Sequence, residues 1–193
     1  MLEIIILSLG FMIHLWSFPY PFKNYKFDLF ISGVQAAFSI PILIKVTPYI
    51  WQFSSISLIT GLSIGTACFL FHILYNRGVR LKLSDLSFNF LISQIVIFVI
   101  HIPAEELLYR GIFFAIPNSI WGPLVAITLS TSLSAMLYVA RWRKPLYWFG
   151  AVFIGFFCGM AFYYTQSIWT AIIIHILNDF GYVTLNEKKN IFE

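Results

Sequence analysis

The chain's 193 residues are 60% hydrophobic and only 10% charged, with a mean hydropathy of +0.85. Soluble domains carry about 25% charged residues, so this composition excludes one and indicates a polytopic membrane protein. The formal net charge is +4, but the Lys and Arg residues sit in short clusters between apolar runs, where they mark a membrane side rather than a nucleic-acid surface. Cys68 and Cys158 lie inside apolar runs, without metal-ligand or disulfide spacing.

At about 20 apolar residues per crossing, seven segments are predicted, near 2–18, 28–47, 54–75, 88–116, 122–140, 146–164 and 167–185. The first has Glu3 where a signal peptide would be basic and no small-residue cleavage site before Pro19, so it reads as a retained helix. Pro19 and Pro21, Pro48, Asn76-Arg77-Gly78, Pro117-Asn118 and Arg143-Lys144-Pro145 punctuate the chain. The last two segments are joined at Thr165-Gln166-Ser167, which predicts a tight antiparallel pair. With no internal repeat and no linker, residues 1–193 form a single transmembrane domain.

Basic residues set the orientation. One side collects ten of them, Lys23, Lys26, Arg77, Arg80, Lys82, Arg141, Arg143, Lys144, Lys188 and Lys189, and the other only Lys45. Basic loops stay cytoplasmic, so the amino end is expected outside and the carboxyl end in the cytoplasm, in a plasma or inner membrane. Gly61 with Gly65 and Gly155 with Gly159 allow close helix approach within the bundle. All six Trp residues fall near segment ends, as interfacial anchors do.

The fourth segment carries Glu105, Glu106 and Arg110, charges that are costly at membrane depth unless paired or functional. In a helix Glu106 and Arg110 share a face and can form an ion pair. Glu105 is turned about 100° away, which makes it the candidate for other chemistry. His101 lies one turn before it, and Pro103 offers a break or kink just before the two glutamates; a break would also free backbone carbonyls. The last segment adds His175, Asn178 and Asp179. Counted at 1.5 Å per residue from the external helix ends, Glu105 and Asp179 stand at about 18 Å, His175 at about 12 Å and Tyr138 at about 22 Å. Three helices thus bring polar groups to the cytoplasmic half of the membrane.

These residues resemble the CAAX prenyl endopeptidase and bacteriocin-processing (Abi) family of intramembrane proteases. The family's first motif stands here as Glu105-Glu106-x-x-x-Arg110-Gly111 and its third as His175-x-x-x-Asp179, within about residues 95–185. The second motif, Phe-x-x-x-His, is missing: ungapped placement puts Ser134 and Tyr138 on its two positions, while a shifted one puts Arg141 at the membrane edge. The resemblance implies an all-α membrane bundle and an endopeptidase acting on a membrane-proximal peptide bond in a hydrophobic or lipidated peptide or membrane protein. Glu105, Glu106, Arg110, Tyr138, His175 and Asp179 are the implied site. Glu105 would activate water, with His175 and Asp179 orienting it or stabilising an oxyanion.

A metal-free site is the expectation; the alternative is a divalent ion such as zinc held by Glu105, His175 and Asp179. His101 either stands in for the lost imidazole or caps the break at Pro103, the cap being the simpler reading. The other functional class is a catalytically impaired member that binds a membrane peptide, or acts in immunity or as a scaffold. Partners are the lipid bilayer and a hydrophobic substrate, with no nucleic acid.

Overall fold

The computed structural model describes residues 1–17, 25–82, 84, 86–141 and 145–186; at 25, 138–141, 145–147 and 186 only the backbone is described. Seven helices follow one another: α1 (Leu2–Ser17), α2 (Tyr25–Val46), α3 (Ser55–Tyr75), α4 (Phe88–Trp121), α5 (Pro123–Arg141), α6 (Pro145–Thr165) and α7 (Ile168–Asp179). A wide-turned stretch, Phe180–Asn186, continues α7. Among the described residues five spans are long and apolar enough to cross a membrane, while Leu2–Ser17 and Pro123–Leu137 are apolar but shorter. The molecule is an all-α integral membrane bundle.

Local chemistry sets the helix ends. Ser54 and Ser87 accept hydrogen bonds from the amides of Ser57 and Phe90, at 3.1 and 3.2 Å, and so open α3 and α4. Beyond α3, Arg77 and Gly78 take positive φ angles of 56° and 125°, and the Gly78 amide returns to the Ile73 carbonyl at 2.9 Å, closing the helix with a left-handed turn. Gly122, at φ 84°, turns the chain from α4 into α5.

Helix α4 is the centre of the bundle. In its most apolar window 61% of residues are buried, against 50% or less in every other long span. α1, α2, α5, α6 and α7 all pack on it. The core clusters around its middle, with Leu108, Ile112, Phe113 and Phe114 buried against residues such as Leu43, Leu137 and Phe162. α7 packs most extensively on α3. That approach needs glycine: a Cβ on Gly61 would stand 3.1 Å from Ile173, and one on Gly65 would stand 2.7 Å from Leu177 and 3.2 Å from the Ile174 Cα.

The expected break at Pro103 does not occur. The chain stays helical from Phe88 to Trp121, and wide π turns at Val96–His101 and Leu107–Ala115 flank the α turn Ile102–Glu106. The amide of Ile102 reaches back five residues to Ile97. A wider turn accommodates a proline ring without unravelling the helix, and π turns of this kind concentrate at functional sites.

Candidate active site

Glu105 and Glu106 are neighbours in sequence but belong to different networks. Glu106 is fully buried, and its Oε1 accepts from Arg110 Nη1 at 3.1 Å and faces His175 Nδ1 at 2.6 Å. The ion pair expected from the four-residue spacing is therefore present, with an imidazole added from α7. Arg110 also donates through Nη2 to the Gly155 carbonyl of α6 at 3.0 Å. Glycine is needed there because a Cβ would stand 3.0 Å from Ser134 Oγ and 3.5 Å from Arg110 Nη2. A guanidinium that serves a carboxylate and a carbonyl on separate helices ties them together in a low-dielectric setting.

The other edge of His175 leads back along α7. Its Nε2 stands 3.6 Å from Asp179 Oδ2, an ion-pair separation longer than a hydrogen bond. Asp179 Oδ1 accepts from Asn178 Nδ2 at 2.9 Å, and Asn178 Oδ1 faces His72 Nε2 of α3 at 2.9 Å. A carboxylate only accepts, so the Asn178 amide must point its nitrogen at Asp179 and its oxygen at His72, which makes His72 the donor. The network thus runs from the end of α3 through α7 to α4.

Glu105, 1% exposed, has His101 Nε2 at 3.1 Å from its Oε1. His101 Nδ1 in turn lies 2.9 Å from Ser32 Oγ of α2. The imidazole makes no capping bond to the backbone, so of the two readings of His101 the cap does not hold. Its ring serves Glu105.

The two networks start one residue apart on α4. His175 and Asp179 are brought to the first motif, with His175 on Glu106 rather than on Glu105. Tyr138 and Arg141 lie on the backbone of α5, but their side chains are outside the described residues. The residues joined to the site that sequence reading did not single out are Ser32 and His72. Each is a polar side chain in a largely apolar helix that precedes the motifs, and only the three-dimensional pairing distinguishes them from ordinary helix-packing groups.

Metal binding was tested against the same geometry. Among the described residues no three His, Cys, Asp or Glu side chains gather as ligands would. Glu105 is turned to His101, and His175 offers one nitrogen to Glu106 and the other to Asp179. The donor set Glu105, His175 and Asp179 does not fit an ion in this arrangement.

The described residues form an all-α membrane bundle with two adjacent glutamates, an arginine and a histidine buried on its central helices. The family model described as Type II CAAX prenyl endopeptidase Rce1-like matches residues 87–181. The match supports the resemblance to the CAAX prenyl endopeptidase family, and the matched segment contains Glu105, Glu106, Arg110, His175 and Asp179. No curated protein and no solved structure matches the chain.

Proposed function

We propose that this protein is an intramembrane endopeptidase that hydrolyses a membrane-proximal peptide bond with water activated by Glu105, without a metal. The observation that carries the reading is the division between the two glutamates. Glu106 is held by Arg110 at 3.1 Å and His175 at 2.6 Å, an arrangement suited to structure, whereas Glu105 faces an imidazole. A carboxylate tied to two cationic groups is a poor base, and the one beside a histidine is the better proton acceptor.

In this mechanism Glu105 takes a proton from water as the water oxygen attacks the peptide carbonyl carbon. The carbonyl electrons move onto oxygen, and the Nε2–H of His175, with the Tyr138 hydroxyl, donates to the resulting oxyanion. Glu105 then returns its proton to the departing amine as the C–N bond breaks. The hydroxyl assigned to Tyr138 is a donor, which suits the oxyanion role and not that of a base at neutral pH.

The substrate class follows from the surroundings. An apolar groove of about 480 Å³ lies between the first half of α4, at Phe90, Leu91, Ile95 and Phe98, and Phe180 after α7. Phe98 lies three residues before His101, and Phe180 directly follows Asp179. Such a groove suits a hydrophobic or lipidated segment next to the scissile bond. The distribution of Lys and Arg supports a plasma- or inner-membrane protein with a cytoplasmic carboxyl end.

The second reading is a peptide-binding, immunity or scaffold role without catalysis. The presence of Tyr138 where the family has histidine supports it, as does the deep burial of Glu105, Glu106 and His175. The test is incubation of the purified protein in lipid vesicles with hydrophobic and lipidated peptides, with products read by mass spectrometry. Cleavage that persists in a chelator supports the proposed reaction. Tight binding without any product supports the second reading.

A further inference from the structure

The family match begins at residue 87, yet a side chain from α2 reaches the site. Ser32 is fully buried, and its Oγ lies 2.9 Å from Nδ1 of His101, whose Nε2 lies 3.1 Å from Glu105 Oε1. We propose that Ser32 is a positioning residue for Glu105: its hydroxyl occupies Nδ1 of His101 and so keeps the ring proton on Nε2, the nitrogen that stands at ion-pair distance from the carboxylate.

The inference rests on donor and acceptor chemistry. An ionised carboxylate accepts hydrogen bonds and donates none, so the atom of His101 facing Glu105 must carry a proton. In neutral imidazole only one nitrogen does, and Nδ1 is then an acceptor that needs a donor. Ser32 supplies that donor. A hydroxyl also rotates, so it accepts from Nδ1–H when the ring carries a second proton. In both states Nε2–H stays on Glu105, and neither leaves Nδ1 stranded in an apolar interior, which costs more than a typical hydrogen bond contributes.

Sequence position supports the assignment. Ser32 belongs to a buried polar face of α2 made by Asp28, Ser32, Gln35 and Ser39, spaced four, three and four residues apart. A stripe with helical period on an otherwise apolar span needs a polar surface to meet. α2 packs on the part of α4 that includes His101 and Glu105, which provides that surface. The same pattern makes α2 part of the site rather than only a lipid-facing wall.

This proposal rests on the protease reading only for its effect on rate, and the two fail separately. The experiment is 15N NMR of the full chain labelled at histidine, with the His101 signals assigned by their loss in His101→Gln, alongside peptidase kinetics. The expected wild-type spectrum has a protonated Nε2. In Ser32→Ala the His101 nitrogen shifts should move toward a mixture of tautomers, and Ser32→Thr, which keeps a hydroxyl, should restore them. Kinetically, kcat should fall about tenfold in Ser32→Ala with KM unmoved, as loss of one buried positioning hydrogen bond implies, and recover in Ser32→Thr. Shifts that are identical in wild type and Ser32→Ala, or a wild-type ring deprotonated at Nε2, would overturn the proposal whatever the enzyme cleaves. The expected shifts in a protein that cleaves nothing would uphold the positioning of Glu105 and count against the protease reading instead.

Discussion

His175 meets Glu106, not Glu105: its Nδ1 lies 2.6 Å from Glu106 Oε1, on the same oxygen that accepts from Arg110. One carboxylate oxygen thus joins α4 to α7, while Arg110 joins α4 to α6 through the Gly155 carbonyl. Glu106 is the anchor of the bundle's polar centre, and Glu105 is its neighbour with a different partner.

Arg110→Ala should therefore cost folding stability first. It leaves Glu106 buried without its guanidinium, a loss of about 3 kcal/mol or more for a fully buried pair. Thermal melts in detergent should drop clearly for Arg110→Ala and by much less for Glu105→Gln. Equal drops would assign Arg110 no special structural weight.

The approach of α3 to α7 makes a sharper packing prediction. Gly65→Ala places a methyl 2.7 Å from the Leu177 side chain and 3.2 Å from the Ile174 backbone, so α7 must shift. Overpacking of this kind costs about 1–3 kcal/mol. Gly33→Ala, where a Cβ meets nothing within 4 Å, is the matched control and should melt like wild type.

Much of this was legible beforehand because the physics was local. Apolar runs bounded by Pro, Gly and basic clusters gave seven helices near their observed positions, and four-residue spacing foretold the Glu106–Arg110 pair at 3.1 Å. Helical rise predicted that α7 brings its polar groups toward the glutamates of α4, and His175 does meet Glu106. Partner choice across helices was not legible, because it depends on rotation. The π turns around residues 102–106 reset the angular phase of α4, and a straight α-helix with a break at Pro103 does not capture that. Ser32 and His72 were hidden for the same reason: nothing in a helix's own sequence says which partner a given polar group will meet.

Topology is open to a direct check. A reporter fused after Glu193 should be cytoplasmic, because the sequence reading assigns ten Lys and Arg residues to that side and one to the other. An external signal would mean that one apolar helix does not cross, with the 16-residue Leu2–Ser17 the first to re-examine.

Ungapped placement of the family's second motif puts Tyr138 at its histidine position. If catalysis uses a donor at this position, Tyr138→His should raise peptidase activity by about tenfold or more, within the range of acid–base contributions. The gain should vanish in the double variant with Glu105→Gln. An unchanged or lower rate would move the missing imidazole's role to His101, already 3.1 Å from Glu105.

The division of labour between the two glutamates is tested most directly by comparing Glu105→Gln with Glu106→Gln in one preparation, measuring peptide cleavage and detergent melting together. Glu105→Gln should melt close to wild type and cleave nothing detectable, while Glu106→Gln should melt markedly earlier. A Glu105→Gln protein that cleaves at the wild-type rate would contradict the account.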